Sequence, residues 1–202
     1  MDWRIFRAID EFSVDYKWVA HATYAFETFG IVIYGLAVVL LWLLTAPGSE
    51  RRWKIAALCG GVTALISLGI NQIIGNLIWH RPRPYEAHPG VYHLTHSHDP
   101  SFPSDHASAA FGIAWGIYVI DKSVGRIFLV VATLIAFGRM VVGAHYLTDI
   151  LAGLVISTIV AVVVARFGQS LLLRLAVVLE RVSDPLVAPF HRRRRSPSAN
   201  LS

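Results

Sequence analysis

Long apolar runs, separated by short polar stretches, set the character of this chain. Five of them predict membrane-crossing helices: Trp18 to Leu44, Trp53 to Trp79, His106 to Ile120, Arg126 to Val142 and Tyr146 to Ala165. A full crossing takes about 20 residues, with roughly 17–25 tolerated. The third and fourth runs are therefore short, and their helices are expected to begin inside the flanking polar loops. A further segment, Phe167 to Phe190, carries an apolar core around Leu171–Leu179. Arg174, Glu180, Arg181, Asp184 and Pro185 interrupt it, so it reads as an interfacial or partly inserted helix. At the start, Trp3, Arg4, Ile5, Phe6, Arg7, Ile9, Asp10 and Phe12 mix charge and apolar groups at helical spacing. That pattern predicts a short helix in the interface, anchored by Trp3 and Phe6, rather than a signal peptide with its uninterrupted apolar core.

Composition fixes the class. Of 202 residues, 55% are hydrophobic and only 15% charged, with mean hydropathy +0.54. A soluble domain carries about a quarter charged residues. The expectation is an all-α, polytopic integral membrane helix bundle with five to six spans. It forms one domain over 1–190, followed by a disordered basic cytoplasmic tail over 191–202. The net charge of +5 sits in short loops and that tail, which argues for membrane topology and against nucleic acid. The lone Cys59 lies in an apolar run and excludes an intramolecular disulfide. Gly60-Gly61 and Gly75 suit close helix packing.

Charge also orients the bundle. Arg51, Arg52 and Lys54 follow the first span, Lys122 and Arg126 the third, and Arg166 and Arg192–Arg195 the fifth. With five spans these share one side, which the positive-inside rule makes cytoplasmic. The loop 80–105 and the junction of the fourth and fifth spans then meet at the opposite face. Arg4, Arg7 and Lys17 also fall there, against the rule.

That outer face collects the candidate chemistry. Ser104 is a strong N-cap type before a helix that carries His106 in its first turn. A helix N-terminus offers unpaired N–H groups and a positive dipole end, hence an anion site. Capping alone would also account for Ser104. His145 lies 39 residues after His106, and Asp149 four residues further, a spacing that on a helix lets the carboxylate reach the imidazole. A carboxylate so placed fixes the tautomer and frees the other ring nitrogen as a nucleophile. Arg139 supplies a planar fork for phosphate oxygens. In His80-Arg81-Pro82-Arg83, positive charge on the outer face needs a reason, and a phosphate provides one, although Arg81 alone suits a headgroup anchor. Glu27, inside the first span, either lines a lipid groove or bonds Asn71 or Asn76. His88, His93, His96, His98 and Asp99 match no compact metal-ligand spacing.

These residues resemble the type 2 phosphatidic acid phosphatase superfamily. Its signature is a lysine, six residues, then Arg-Pro; next Pro-Ser-Gly-His; then Ser-Arg, five residues, His, three residues, Asp. Here these are Arg83-Pro84, Pro103-Ser104-Asp105-His106, and Gly138-Arg139 with His145 and Asp149. Asp105 replaces the glycine, Gly138 the serine, and Asn76 stands where the lysine would be. The Ser-Asp-His variant, with Trp3-Arg-Ile-Phe-Arg-Ala-Ile9 near the start, is similar to the bacitracin-resistance type undecaprenyl pyrophosphate phosphatases.

The resemblance implies a metal-independent lipid pyrophosphate phosphatase with no cofactor, in a bacterial plasma membrane, acting on its extracytoplasmic face. It would remove the terminal phosphate of a polyprenyl pyrophosphate and so recycle the lipid carrier for cell-wall synthesis. His145 would attack phosphorus, Asp149 orient it, and His106 protonate the leaving oxygen. Arg83, Ser104, Arg139 and the backbone N–H near Asp105 would hold phosphate oxygens, with Asn76 or Arg81 in place of the lysine. Glu27 and Arg81 are candidates for a substrate groove. The alternatives are a phosphatase for phosphatidylglycerol phosphate or phosphatidic acid, and a non-catalytic phospholipid binding or transport protein. The partners implied are the lipid substrate and the bilayer.

Overall fold

The computed structural model describes residues 1–194, with side chains through His191. Among the described residues eight helices follow one another: α1 (Asp2–Asp15), α2 (Lys17–Leu43), α3 (Arg52–Ile73), α4 (Pro84–Ala87), α5 (Asp105–Tyr118), α6 (Lys122–Val141), α7 (Leu147–Phe167) and α8 (Gln169–Arg194). No strand occurs among the described residues. A π turn, Ile74–Ile78, prolongs α3. Four of the described helices are long and apolar enough to cross a membrane: α2, α3 with its π turn, α6 and α7. The chain is thus a multi-pass membrane protein. α6 does begin in the polar stretch before Arg126, as its short apolar run required. α5 does not lengthen. Its 14 residues span only about 21 Å at 1.5 Å per residue, and it is the helix against which α3, α6 and α7 all pack.

α5 reaches its neighbours through missing side chains. A Cβ added at Gly116 would fall 2.6 Å from the Cys59 carbonyl oxygen and from the Gly60 backbone. Helices in lipid gain little from hydrophobic exclusion, so small residues that let backbones touch carry much of the association. Beyond this seam the core is Ala107, Ala110, Phe111 and Ala114 of α5 against Ala132, Ile135 and Ala136 of α6. The Tyr34 hydroxyl of α2 lies 3.0 Å from the carbonyls of Ala110 and Phe128. Gly116→Val should prise α3 from α5 and cost about 3 kcal/mol, near the upper end for overpacking. A fall in the thermal midpoint of the detergent-solubilised protein, relative to Gly35→Val where no atom lies within 4 Å, checks this.

The two amphipathic end helices lie across the bundle. α1 sits over the ends of α6 and α7: Phe6 is fully buried against Val91 and Tyr146, and the Ser13 hydroxyl donates to the Val141 carbonyl at 3.0 Å. The opposite, basic end is bound by α8. Leu172 packs with Cys59, Val160 and Val164. Lys54 donates to Asp184 at 2.6 Å and to Glu180 at 3.3 Å. Trp42 Nε1 donates to Ser183, and His191 meets the Leu43 carbonyl. α8 therefore runs past the ends of α7, α3 and α2 in turn, which agrees with an interfacial helix. Two of the charged residues that interrupt its apolar core, Glu180 and Asp184, make the ion pairs among these contacts. The helix continues through Arg194, so the tail expected from His191 starts as helix; positions 195–202 lie outside the described residues.

Candidate active site

Antiparallel connection brings the start of α5, the end of α6 and the start of α7 to one end of the bundle, under the long segment 79–104. Between them lies a cavity of about 360 Å³. Glu27, Arg83, Asp105, His106, Arg139 and His145 line it, along with Tyr24, Thr28 and Ile31 of α2 and Thr95 to Ser97 of the loop. Six of the ten residues singled out in the sequence thus share one chamber.

His145 stands in a turn rather than on a helix. Gly143 makes the turn possible: its φ is +79°, and an added Cβ would lie 2.4 Å from the Tyr92 carbonyl oxygen. Both the left-handed backbone and the close approach of the loop exclude any side chain there. Tyr146 caps α7, and Asp149 occupies its third position, accepting from the Tyr146 N–H at 2.9 Å.

Because the helix starts after His145, the expected helical contact to Asp149 is not made. His145 Nδ1 and Asp149 Oδ2 are 3.7 Å apart, beyond hydrogen-bond range. The nearer partner of Nδ1 is the Ser101 carbonyl at 2.8 Å. A carbonyl only accepts, so Nδ1 carries the proton and Nε2 keeps its lone pair. Nε2 faces Arg83 Nη1 at 3.3 Å. Burial drives the His145 pKa down from 6.5 to about 4; Arg139 and Arg83 push the same way, against Asp149. The ring is neutral near pH 7.

Asp149 acts through intermediaries. Fully buried, it accepts from the Ser101 hydroxyl at 2.6 Å and from Arg81 Nη1 at 2.6 Å. Arg81 also pairs with Asp2 at 2.7 Å and lies over the Tyr146 ring, 4.0 Å from its centre. This arginine is thus spent on carboxylates behind the imidazole and is not among the residues lining the cavity. Asn76 is also absent from the lining. It sits exposed on the π turn and donates to Gln72. Neither side chain stands in for the lysine at the cavity wall.

The other cations are placed differently. Arg83 is held by main-chain acceptors: the Asp99 carbonyl at 3.0 Å and the Ala144 carbonyl at 3.3 Å. Arg139 donates Nη1 to both oxygens of Glu27 at 2.6 Å. Glu27 therefore lines the cavity, as one reading had it, and bonds neither Asn71 nor Asn76. At the start of α5, Ser104 Oγ accepts from Ala107 N, so this side chain is a cap outside the lining. Asp105 lines the cavity while accepting from Asn71 and Gln72 of α3, each at 2.9 Å. His106 projects from the first turn, where a helix leaves N–H groups unpaired. Among the described residues, no group of three or more His, Cys, Asp or Glu side chains is placed to hold a metal ion.

Ser101 and Asp2 carry parts of this site that sequence reasoning missed. Ser101 contributes a backbone carbonyl that any residue possesses. Asp2 lies 147 positions from the carboxylate it supports, within a segment read only as an anchor.

Comparison with known proteins places this geometry. The model of the PAP2 superfamily matches residues 55–172. An undecaprenyl-diphosphatase of Bacillus subtilis (strain 168), BcrC, is 32% identical over 172 residues, covering 85% of this chain and 86% of that protein. The crystal structure of Aquifex aeolicus LpxE superposes with a TM-score of 0.55 at 20% identity, covering 82% of this chain and 95% of that one. A PAP2-type phosphatidylglycerolphosphate phosphatase from Bacillus subtilis gives 0.52 at 21% identity, with 83% and 86% covered. These last two share the fold. The family match spans α3 through the first turn of α8 and includes all three groups of residues around the cavity, so the chain belongs to the PAP2 superfamily.

Proposed function

We propose that this protein hydrolyses the terminal phosphate of a polyprenyl diphosphate, with undecaprenyl diphosphate as the substrate, through a phosphohistidine on His145. The observation that carries the proposal is the fixed tautomer: Nδ1 is tied to the Ser101 carbonyl, and the Nε2 lone pair is held at the cavity beside Arg83. Binding alone needs no such nitrogen. His145 Nε2 forms a bond to the terminal phosphorus while the bond to the bridging oxygen breaks. His106 gives that oxygen its proton, and undecaprenyl phosphate leaves. A water then attacks the phosphohistidine, losing its proton to His106; inorganic phosphate departs and His145 returns to its neutral form. Arg83, Arg139 and the backbone N–H groups at the start of α5 stabilise the phosphoryl oxygens, the task that dominates such transfers.

The substrate choice rests on the Bacillus relative, which is named for this diphosphatase activity and aligns over most of both chains. The basic ends of α3 and α6 lie opposite the cavity, which supports an extracytoplasmic site in a bacterial plasma membrane. The test is phosphate release from undecaprenyl diphosphate by the purified protein in EDTA. Release should persist with the chelator; its loss would overturn the metal-independent route. Faster release from phosphatidylglycerol phosphate or phosphatidic acid would reassign the substrate. No release from any of the three would support a binding protein.

The tautomer also sets a pH dependence. Attack needs neutral His145, whose pKa lies below the ordinary 6.5, at about 4. Burial, with Arg139, His145 and Arg83, also holds His106 low, at about 3, so the acid for the leaving oxygen gains its proton as pH falls. Accordingly, kcat/KM should rise on acidification through pH 6.5 and fall only below about pH 4. An acid limb centred near 6.5 would mean that the attacking group is a more solvated base.

A further inference from the structure

One cation of the cavity already has an anion. Glu27 and Arg139 are 2% and 5% exposed, and the carboxylate takes a single nitrogen of the guanidinium, Nη1, with both of its oxygens. Arg139 Nε is buried and has no hydrogen-bond partner. In a guanidinium, Nε–H and Nη2–H form the edge that meets two oxygens side by side. Nη1 belongs to the other edge. Glu27 thus fixes the arginine in a wall where an unpaired charge would be costly, and it leaves the two-pronged edge unspent.

α2 and α6 approach closely beside this pair. Gly138, one residue before Arg139, stands where α2 crosses α6. A Cβ there would lie 3.1 Å from Thr23 Cγ2 and 3.9 Å from Glu27 Cβ.

We propose that Glu27 is a positioning residue for phosphate recognition: it holds Arg139 by Nη1 so that the Nε–Nη2 edge receives a phosphate. This rests on reading the cavity as a phosphate site. Glu27 touches no reacting atom in this role, and its effect passes entirely through Arg139.

The test uses the full chain in detergent micelles, with inorganic phosphate as competitive inhibitor of lipid diphosphate hydrolysis. Glu27→Gln should raise the phosphate Ki and lower kcat/KM, each by about tenfold or more, as expected for a lost hydrogen bond to a charged group. Glu27→Asp should recover part of both. Gly138→Ala should raise Ki in the same direction by crowding α2. Ki does not depend on how much protein is folded, so a variant with reduced yield still reports. A purely structural role would lower yield and thermal midpoint with Ki unchanged, and that overturns the proposal. A tighter Ki in Glu27→Gln overturns it too, because Glu27 would then be competing with phosphate. If the wild type releases phosphate from no lipid, the reading of the cavity fails first; if it is active and Ki is indifferent to Glu27, only this inference fails.

Discussion

The His145→Ala protein should release phosphate from undecaprenyl diphosphate at least about 10⁴-fold more slowly than the wild type, the scale of loss when a covalent nucleophile is removed. The residual rate measures what Arg83, Arg139 and the start of α5 supply by binding alone. Rapid quenching of the wild type with labelled substrate should trap a phosphoprotein that is labile in acid and stable in alkali, the behaviour of a phosphorus–nitrogen bond. The variant should trap none. Structural damage is an inadequate explanation for so large a loss, because the ring's own anchors are modest: one hydrogen bond to the Ser101 carbonyl and one contact with Arg83. An active His145→Ala protein would remove this histidine from the mechanism.

Asp149→Asn should produce the second largest effect, and of a mixed kind. The carboxylate accepts from Arg81 on Oδ1 and from Ser101 and the Tyr146 N–H on Oδ2. An amide has one accepting oxygen, so one side of a fully buried network must face a donor. The cost is about 3 kcal/mol of stability, in the range for breaking a buried pair, visible as a lowered thermal midpoint. Because that network holds the turn on which His145 sits without bonding its ring, kcat should fall by more than tenfold but by less than the roughly 10⁴-fold seen where an orienting carboxylate binds the imidazole directly. Ser101→Ala separates the two routes. It deletes the hydroxyl bridge to Asp149 but keeps the carbonyl that binds Nδ1, and should cost only about tenfold. An effect of Ser101→Ala as large as that of Asp149→Asn would make the bridge itself the decisive contact.

The helices were legible because the apolar runs are long and their breaks are polar. The expected first and fifth spans, Trp18 to Leu44 and Tyr146 to Ala165, fall within two residues of α2 and α7 at either end. Seeing α5 as a short central helix required its partners: with Gly112 and Gly116 its sequence resembles any small-residue span, and only the facing backbone of α3 shows why it can be short and still hold the bundle. At the site, His106, His145, Arg83 and Arg139 were legible from residue type and spacing. Their bonding was not. Arg81 and Arg83 are two residues apart and chemically alike, yet one backs Asp149 and the other lines the cavity. Which does which depends on the path of the chain after the π turn, where no periodic pattern informs. Asn76 misled for the same reason: matched spacing placed it at the cavity, and the π turn exposes it.

Main-chain oxygens set two of the groups proposed to meet the phosphate: Ser101 aligns the imidazole, while Asp99 and Ala144 aim Arg83. A carbonyl is indifferent to the side chain it accompanies and sensitive to where the chain carries it. Residues on the free face of the loop, such as His98, can therefore drift in identity with little penalty. Adding or deleting one residue between Arg83 and Asp99 would move the Asp99 and Ser101 carbonyls out of register with Arg83 and His145. The catalytic geometry is stored as chain length more than as spelling.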